Sequence, residues 1–245
     1  MHPSSIARLA WRGPIFALAL AYDAWRYTRE VRGPDRAARA RWLHRCCRRA
    51  ARIFHIEVKV LGALPERGLI VANHLSYSDI IALSVALPCV FVSKREVAEW
   101  PLFGAFARRS GTLFLDRTRR GAVGDVGAQM REVLGSGIPL VLFPEGTSTN
   151  GDAVTPFKTS LFEPVAEIGC AVTAAAIAYA MPEGSVRDEV HFWGTMKLGA
   201  HLLNFLGKRR IDVTIRFGET RVRTGNRKSI AAELHREVVK LRTAP

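Results

Sequence analysis

The segment NHLSYSD (73–79) places a histidine and a carboxylate five positions apart, directly after a short apolar run. On a single helix, positions five apart lie about 140° round from each other, so His74 and Asp79 would not meet. They can meet if His74 lies in the loop after a strand and Asp79 in the first turn of the next helix. The carboxylate would then hold one imidazole nitrogen and leave the other as a base. Taken alone, such a pair is more often a structural polar contact than a proton-transfer site.

A second polar group follows another apolar run, in the segment FPEGTS (143–148). Glu145 is followed by Gly146, which permits close approach of a ligand to the backbone, and by two hydroxyl side chains. One alternative is an ordinary strand-end turn with Glu145 in solvent. Another is the nucleophile elbow of a serine hydrolase. We discount the elbow because the second glycine of G-x-S-x-G is missing and Gly151 comes one residue late.

Two cations also lie where strands are expected to end. Arg117 closes the segment GTLFLDR (111–117), and its planar guanidinium suits a phosphate. Lys94 follows the apolar residues before it in the same way. Either one alone is more often a surface cation than a ligand. A histidine, a glutamate, an arginine and a lysine at strand ends together suit an anionic substrate with a hydroxyl to be activated.

Apolar runs alternate with helical patterns along the chain, which predicts an α/β fold with a mainly parallel central sheet flanked by helices. The predicted strands cover residues 56–61, 69–72, 89–93, 111–115, 138–143, 171–179, 189–193 and 211–217. The predicted helices cover residues 1–32, 35–54, 79–87, 100–109, 122–134 and 229–242, the third of them capped by Ser76 or Ser78. We expect a basic helical segment at 1–54 and the α/β domain at 55–245.

The net charge is +14, and it is concentrated near the start of the chain. Residues 1–60 hold thirteen Lys and Arg against four Asp and Glu, an excess of nine positive charges. Anionic lipid and nucleic acid are both partners that such charge favours. The arginines cluster in the first helices and no nucleic-acid-binding motif is present, so we expect a membrane surface and no nucleic acid.

The apolar run PIFALALAY (14–22) is too short to span a bilayer, which takes about 20 residues. It resembles a signal peptide, with Ala19-Leu20-Ala21 as a cleavage pattern, but ten arginines follow within 26–52. We prefer a retained interfacial helix on the cytoplasmic face of the inner membrane. An amphipathic helix packed on the domain is an alternative with nearly equal support.

The four cysteines form no C-x-x-C pair, which indicates a reduced protein without a disulfide framework. Cys46 and Cys47 lie between His44 and His55, but the spacing fits no common zinc pattern. We therefore expect no metal site.

Four blocks in order make the chain similar to the glycerolipid acyltransferase family, the 1-acyl-sn-glycerol-3-phosphate acyltransferases. They are NHLSYSD (73–79), VSKREVAEWPLFGAFARRSGTLFLDR (92–117), FPEGTST (143–149) and the predicted strand at 171–179. The resemblance covers roughly residues 55–220, and the first and third blocks together are highly specific. It implies transfer of a fatty acyl group from a thioester to a hydroxyl of a lysophospholipid.

The resemblance also implies residue roles. His74 would be the general base and Asp79 its orienting partner. The substrate-binding residues that it implies are Lys94, Arg117, Glu145, Gly146 and Thr147, with Arg117 on the phosphate and Lys94 as a second phosphate contact. Backbone amides near Gly146 or at the start of the helix after His74 are candidates for the oxyanion.

We expect lysophosphatidic acid as the acceptor, giving phosphatidic acid, with lyso-ornithine lipid as the alternative. Ala174 stands where the family usually has a proline in its fourth block, which bears on acceptor identity more than on reaction type. No bound cofactor is expected; acyl-CoA or acyl carrier protein would be the co-substrate.

Overall fold

The computed structural model describes residues 3–100, 102–116 and 122–244, and within them eight strands form one sheet. The strands are β1 (Ile56–Leu61), β2 (Leu69–Ala72), β3 (Val90–Lys94), β4 (Leu113–Leu115), β5 (Leu140–Leu142), β6 (Ala171–Ala180), β7 (Ile211–Phe217) and β8 (Arg221–Val222). Their order is β1-β7-β6-β2-β5-β3-β4, and β8 pairs with β6.

The sheet is parallel except where β6 meets β7 and β8. Strands β2, β3, β4, β5 and β6 therefore run in one direction, while β1 and β7 run in the other. The carboxyl ends of β2, β3 and β5 meet at one edge, which is where an α/β sheet collects functional side chains. The predicted mainly parallel α/β fold is confirmed.

Nine helices flank the sheet within the described ranges. They are α1 (Pro3–Glu30), α2 (Arg36–Phe54), α3 (Ser78–Ala86), α4 (Phe103–Ser110), α5 (Ala122–Gly135), α6 (Glu163–Ile168), α7 (Val186–Glu189), α8 (Leu198–Leu206) and α9 (Arg227–Thr243). Short 3₁₀ helices lie at Arg95–Glu99 and Thr159–Phe162. All six predicted helices are present, with ends that differ by a few residues.

The strand predicted at 189–193 is wrong. Its first residue ends helix α7, and the others lie in a loop. Val190 and His191 are buried there, and the Phe192 amide donates to the Leu75 carbonyl at 2.9 Å. The segment is thus held against the loop after β2 as irregular backbone, with Val190 packed in the core.

The core lies on both faces of the sheet, since successive residues of a strand point to opposite sides. On one face, Ile70 and Ala72 of β2 pack with α2, α3 and α8. On the other face, Leu69 and Val71 pack with α5 and α9. Three layers result, with the helices that are rich in arginine on one outer side.

Helices α1 and α2 form an antiparallel pair, the α1–α2 hairpin, and α2 is part of the core. Trp42 of α2 is buried and donates through its indole nitrogen to the Asp23 carbonyl of α1 at 2.9 Å. Helix α1 is also held at its start, where Arg8 and Arg12 donate to carbonyls at the end of α8, at 2.8 Å to Gly207 and 2.7 Å to Lys208.

Helix α1 has a face packed on the domain and an exposed face, so the predicted packing on the domain holds for one face, while the predicted contact with a membrane stays a prediction. The exposed face carries large apolar side chains spaced four and three residues apart, here called the exposed stripe: Trp11, Ile15, Leu18, Tyr22 and Trp25. Leu18 is 73% exposed. Among the described residues no helix combines the length and the apolar character needed to cross a bilayer.

Candidate active site

The loop that carries His74 begins with a fixed asparagine. The Asn73 side chain accepts from the Ile177 amide at 2.8 Å and donates to the Ile177 carbonyl at 3.0 Å, so it extends the pairing of β2 with β6. Asn73 is almost fully buried. The backbone just before His74 is therefore held by the sheet itself.

His74 and Asp79 meet as the loop-to-helix arrangement requires. His74 Nδ1 lies 2.7 Å from Asp79 Oδ2, with Asp79 in the first turn of α3. A carboxylate only accepts hydrogen bonds, so Nδ1 carries the proton and Nε2 holds the lone pair. An imidazole in this tautomer is arranged to take a proton at Nε2.

Asp79 is completely buried, and its two oxygens are surrounded by donors. Oδ2 also accepts from the Leu75 amide at 2.7 Å and the Ser76 amide at 3.0 Å, while Oδ1 accepts from the Tyr179 hydroxyl at 2.7 Å. These contacts stabilise a buried carboxylate and fix its orientation. The predicted cap of α3 by Ser76 or Ser78 is wrong: Tyr77 occupies the cap position and makes no side-chain cap bond.

Tyr179 was not found from the sequence, where it was only an apolar position of a predicted strand. Ser78 donates to its hydroxyl at 2.9 Å, and that hydroxyl in turn donates to Asp79. Burial, and next the charge of Asp79, raise the pKa of Tyr179 well above its ordinary value, so it remains a donor. Tyr179 belongs to none of the sequence motifs. Only the pairing of β6 with β2 brings it to Asp79, and the sequence does not show that pairing.

Glu145 is also buried, and both of its oxygens contact the protein. Oε1 accepts from the His74 amide at 2.7 Å, and Oε2 accepts from the amide and hydroxyl of Thr155 at 2.8 and 2.7 Å. The His74 carbonyl accepts from the Thr149 amide at 2.9 Å. The loop that holds Glu145 thus fixes the backbone of His74 on both sides. This contact positions the histidine; the predicted substrate contact of Glu145 stays a prediction.

Gly146 and Thr147 form the turn after Glu145. Gly146 has φ 73°, in the left-handed region that favours glycine. Its amide donates to the Phe143 carbonyl at 3.0 Å, and the first amides of α3 donate within their own loop. These particular amides are bonded within the protein, and the expected oxyanion contact of an amide in this region stays a prediction. Thr147 is exposed at the mouth of the cavity described next.

An apolar cavity of about 340 Å³ runs from His74 to the α1–α2 hairpin. The His74 ring stacks on Phe143, with centroids 4.2 Å apart and planes inclined by 16°. Lys94 and the 146–148 turn line the polar end beside His74. The far end is lined by hairpin side chains that include Phe16, Leu20, Leu43, Ala50 and Phe54. An elongated apolar group with a polar end would fit this shape.

The structure describes one of the two residues predicted to contact a phosphate, Lys94, and not the other, Arg117. Lys94 is the last residue of β3 and lines the cavity on the same sheet edge as His74. Arg117 lies outside the described residues, two positions after the end of β4. The roles of both residues stay predictions.

The cysteines that line the cavity are not activated nucleophiles. Burial raises the pKa of the Cys47 thiol to about 12 and raises that of Cys46 as well. Ser148 also lines the cavity, but its hydroxyl donates to the Phe192 carbonyl. Over the part of the chain that the structure describes, no group of three or more His, Cys, Asp and Glu is placed to hold a metal ion.

The arrangement combines a positioned base, a buried orienting carboxylate and an apolar cavity beside a cation. Such a site can remove a proton from a hydroxyl group whose carrier has an apolar chain. The geometry requires no covalent intermediate on the protein.

Comparison with known proteins shows which enzymes the chain is similar to. The acyltransferase family model matches residues 55–178. The chain is 37% identical over 204 residues to the lyso-ornithine lipid O-acyltransferase of Brucella abortus, covering 77% of this chain and 76% of that protein. It is 39% identical over 215 residues to the enzyme of the same name from Pseudomonas aeruginosa, covering 84% and 80%.

Two further comparisons involve enzymes named for a different acceptor. The 1-acyl-sn-glycerol-3-phosphate acyltransferase of Neisseria gonorrhoeae is 34% identical over 115 residues, 47% of this chain and 45% of that protein. The crystal structure of PlsC, the 1-acyl-sn-glycerophosphate acyltransferase of Thermotoga maritima, superposes with a TM-score of 0.65 at 17% identity, covering 99% of this chain and 96% of that one. That likeness confirms the fold. The chain, whose relatives act on lyso-lipids, belongs to the acyltransferase family.

Proposed function

We propose that this enzyme transfers a fatty acyl group from a thioester to the free hydroxyl of a lyso-lipid, with His74 as the general base. The observation that carries the proposal is the 2.7 Å contact of His74 with buried Asp79 at the polar end of the apolar cavity. The donor is acyl-CoA or acyl carrier protein.

The reaction needs one proton acceptor and no protein nucleophile. His74 Nε2 takes the hydroxyl proton as the acceptor oxygen attacks the thioester carbonyl, and Asp79 stabilises the imidazolium. The new ester C–O bond forms, the C–S bond breaks, and the proton passes to the leaving thiolate. The raised pKa values of Cys46 and Cys47 support direct transfer, because neither thiol is ionised near neutral pH.

The cavity supports a substrate with a long apolar chain. Part of the cavity wall at the hairpin is the face of α1 opposite the exposed stripe, with Phe16 and Leu20. At this part of the wall only helix α1 lies between the cavity and the outer surface. This arrangement suits an enzyme that takes its acceptor from a lipid layer. We propose that the exposed stripe and the neighbouring arginines dock the enzyme on the cytoplasmic face of the inner membrane.

Lyso-ornithine lipid is the acceptor that we propose first. It is supported by the two relatives named lyso-ornithine lipid O-acyltransferase, whose alignments cover about three quarters or more of both chains. The alignment with the Neisseria relative, named 1-acyl-sn-glycerol-3-phosphate acyltransferase, covers less than half of each chain. Lysophosphatidic acid is the second candidate. Its support is the predicted pair of phosphate cations and the presence of Lys94 at the polar end of the cavity.

The test is thiol release from one acyl thioester in the presence of each acceptor. We expect the largest kcat/KM with lyso-ornithine lipid. A larger value with lysophosphatidic acid would replace the first acceptor by the second. Donor hydrolysis at an equal rate with and without any lyso-lipid would contradict acyl transfer altogether.

A further inference from the structure

The outer surface of the α1–α2 hairpin holds a second concavity, here called the basic pocket. Its volume is about 330 Å³, and it is lined by five arginines together with Tyr22 and His44. Every lining side chain carries a hydrogen-bonding group. It lies on the opposite side of α2 from the cavity beside His74, whose wall includes Cys46, Cys47 and Ala50.

The arginines of the basic pocket outnumber the carboxylates that neutralise them. Arg49 pairs with Asp23 at 2.8 Å, and Arg26 and Arg45 share Glu30. The other two, Arg48 and Arg52, form no ion pair with an acidic side chain in the ranges that the structure describes. Five guanidinium groups against two carboxylates leave three positive charges uncompensated.

These positive charges are close enough to oppose each other. Burial, and next the charge of Arg26, lower the pKa of Arg45. Burial also lowers the pKa of His44, and Arg48 and Arg45 add to that effect. A bound anion would relieve this repulsion, because it supplies the negative charge that the protein leaves out.

Contacts with Tyr22 hold two of the five arginines of the basic pocket in place. Tyr22 accepts from Arg26 at 3.1 Å, and its ring lies 4.8 Å from the Arg49 guanidinium. Guanidinium groups held in fixed orientations suit the paired oxygens of a phosphate. Tyr22 is also a member of the exposed stripe, so the phosphate position lies directly beside exposed apolar side chains.

We propose that the basic pocket binds the headgroup phosphate of an anionic phospholipid in the bilayer, apart from the acceptor site. The apolar stripe continuous with Tyr22 favours a phosphate that carries acyl chains. This inference rests on the proposed membrane docking of α1 and adds a defined headgroup site to it. A diffuse basic surface would attract lipid without any such site.

The test compares two variants that each lose two positive charges from the same hairpin. Arg48→Gln with Arg52→Gln alters the basic pocket; Arg32→Gln with Arg41→Gln alters exposed arginines that do not line it. Binding is measured by sedimentation with phosphatidylcholine vesicles, with and without phosphatidylglycerol, at a salt concentration of about 0.15 M.

We expect the pocket variant to lose at least roughly tenfold in affinity for the phosphatidylglycerol vesicles and the matched variant less than about threefold. Equal losses in the two variants would overturn the site and leave only diffuse attraction. Unchanged vesicle binding by the pocket variant would also overturn it. In that case, loss of turnover with acyl carrier protein but not with acyl-CoA would assign the surface to the carrier, and loss of a gel shift would assign it to nucleic acid.

Activity on a soluble short-chain acceptor with acyl-CoA separates this proposal from the proposed function. The pocket variant should release thiol at the wild-type rate, which also shows that it is folded. Absence of thiol release by the wild-type enzyme with every acceptor would refute acyl transfer while the vesicle result stood on its own.

Discussion

The corner formed by His74, Asp79 and Glu145 and the α1–α2 hairpin differ in how their polar groups are satisfied. In the corner, all four carboxylate oxygens accept from protein donors at 2.7 to 3.0 Å. On the outer face of the hairpin, arginines exceed carboxylates and large apolar side chains face outward. The polar groups of the corner are satisfied within the protein, whereas the hairpin surface leaves positive charge and apolar area uncovered, as its proposed docking on a membrane requires.

The difference predicts how each region responds to change. The corner depends on distances between particular atoms, so single conservative substitutions should be costly. The hairpin depends on the sum of charge and apolar area, so its effects should be moderate and accumulate over several residues.

Replacing His74 by alanine should lower kcat by at least roughly 10²-fold, because the base that takes the hydroxyl proton is lost. Thiol release from an acyl thioester in the presence of a lyso-lipid measures it. His55→Asn, at an exposed histidine that ends α2, is the matched control and should retain activity. A purified His74→Ala enzyme with near-normal transfer would exclude His74 as the base.

Replacing Asp79 by asparagine should lower kcat by roughly tenfold or more, with a smaller change in KM. Asp79 accepts four hydrogen bonds with two oxygens, whereas asparagine has only one oxygen to accept them. If its NH₂ group faced His74 Nδ1, it would favour the tautomer with the proton on Nε2, which cannot act as the base. The pH dependence of kcat should change as well, which a purely structural contact would not produce. Unchanged kcat in a variant that melts at a lower temperature would show such a structural contact instead.

Replacing Glu145 by glutamine should reduce the free energy of unfolding by about 1–3 kcal/mol, the cost of leaving a buried amide unpaired. One amide hydrogen of the new side chain would face the amide of His74 or Thr155. Urea unfolding measures the loss, and kcat should fall because His74 is less well held. A rise in KM for the acceptor with unchanged stability would instead support the substrate contact implied by the family resemblance.

Replacing Trp11 and Leu18 of the exposed stripe by serine should weaken vesicle binding by roughly tenfold or more, because each side chain loses apolar area that the membrane would bury. Leu64→Ser with Ile168→Ser removes exposed apolar side chains elsewhere and should bind as the wild type does. Equal effects in the two variants would remove the stripe from membrane docking. Deletion of residues 1–50 is a poorer test, since it takes Trp42 out of the core.

The smallest expected effect concerns pH and stability. Burial lowers the pKa of His191 and of His201 in the folded protein. The unfolded chain therefore binds more protons as the pH falls below about 6.5, and stability decreases in that range. Urea unfolding at neutral and mildly acidic pH should show a smaller loss in His201→Gln than in the wild type. An identical loss in both would exclude His201 as a source.

Much of the fold was predictable because its signals are local. The alternation in β1 and the apolar face of α9 come from residues close together in the chain, and both elements lie where the patterns placed them. Helix α8 (LGAHLLNFL) was missed because it is short and mostly apolar, with His201 and Asn204 as its polar side chains. The segment 189–193 was misread because a short run with apolar residues does not by itself distinguish a strand from a loop packed on the core.

The candidate site was predictable in its motif residues and not in the residues that hold them. His74 and Asp79 share a short segment, and their spacing limits how they can meet. The contacts of Asn73 with Ile177 and of Glu145 with Thr155 depend on strand register and loop path, which no local pattern encodes. The basic composition of the hairpin was visible in the sequence, but the pocket was not, because it depends on how two helices pack.

One experiment tests most directly whether catalysis and docking lie in separate regions. It measures thiol release with a soluble acceptor and sedimentation with anionic vesicles, for His74→Ala and for the Trp11→Ser, Leu18→Ser variant side by side. We predict that His74→Ala binds vesicles like the wild type without releasing thiol, and that the stripe variant releases thiol normally with little vesicle binding. If either variant lost both properties while remaining folded, the two regions would not be separable and the account would be contradicted.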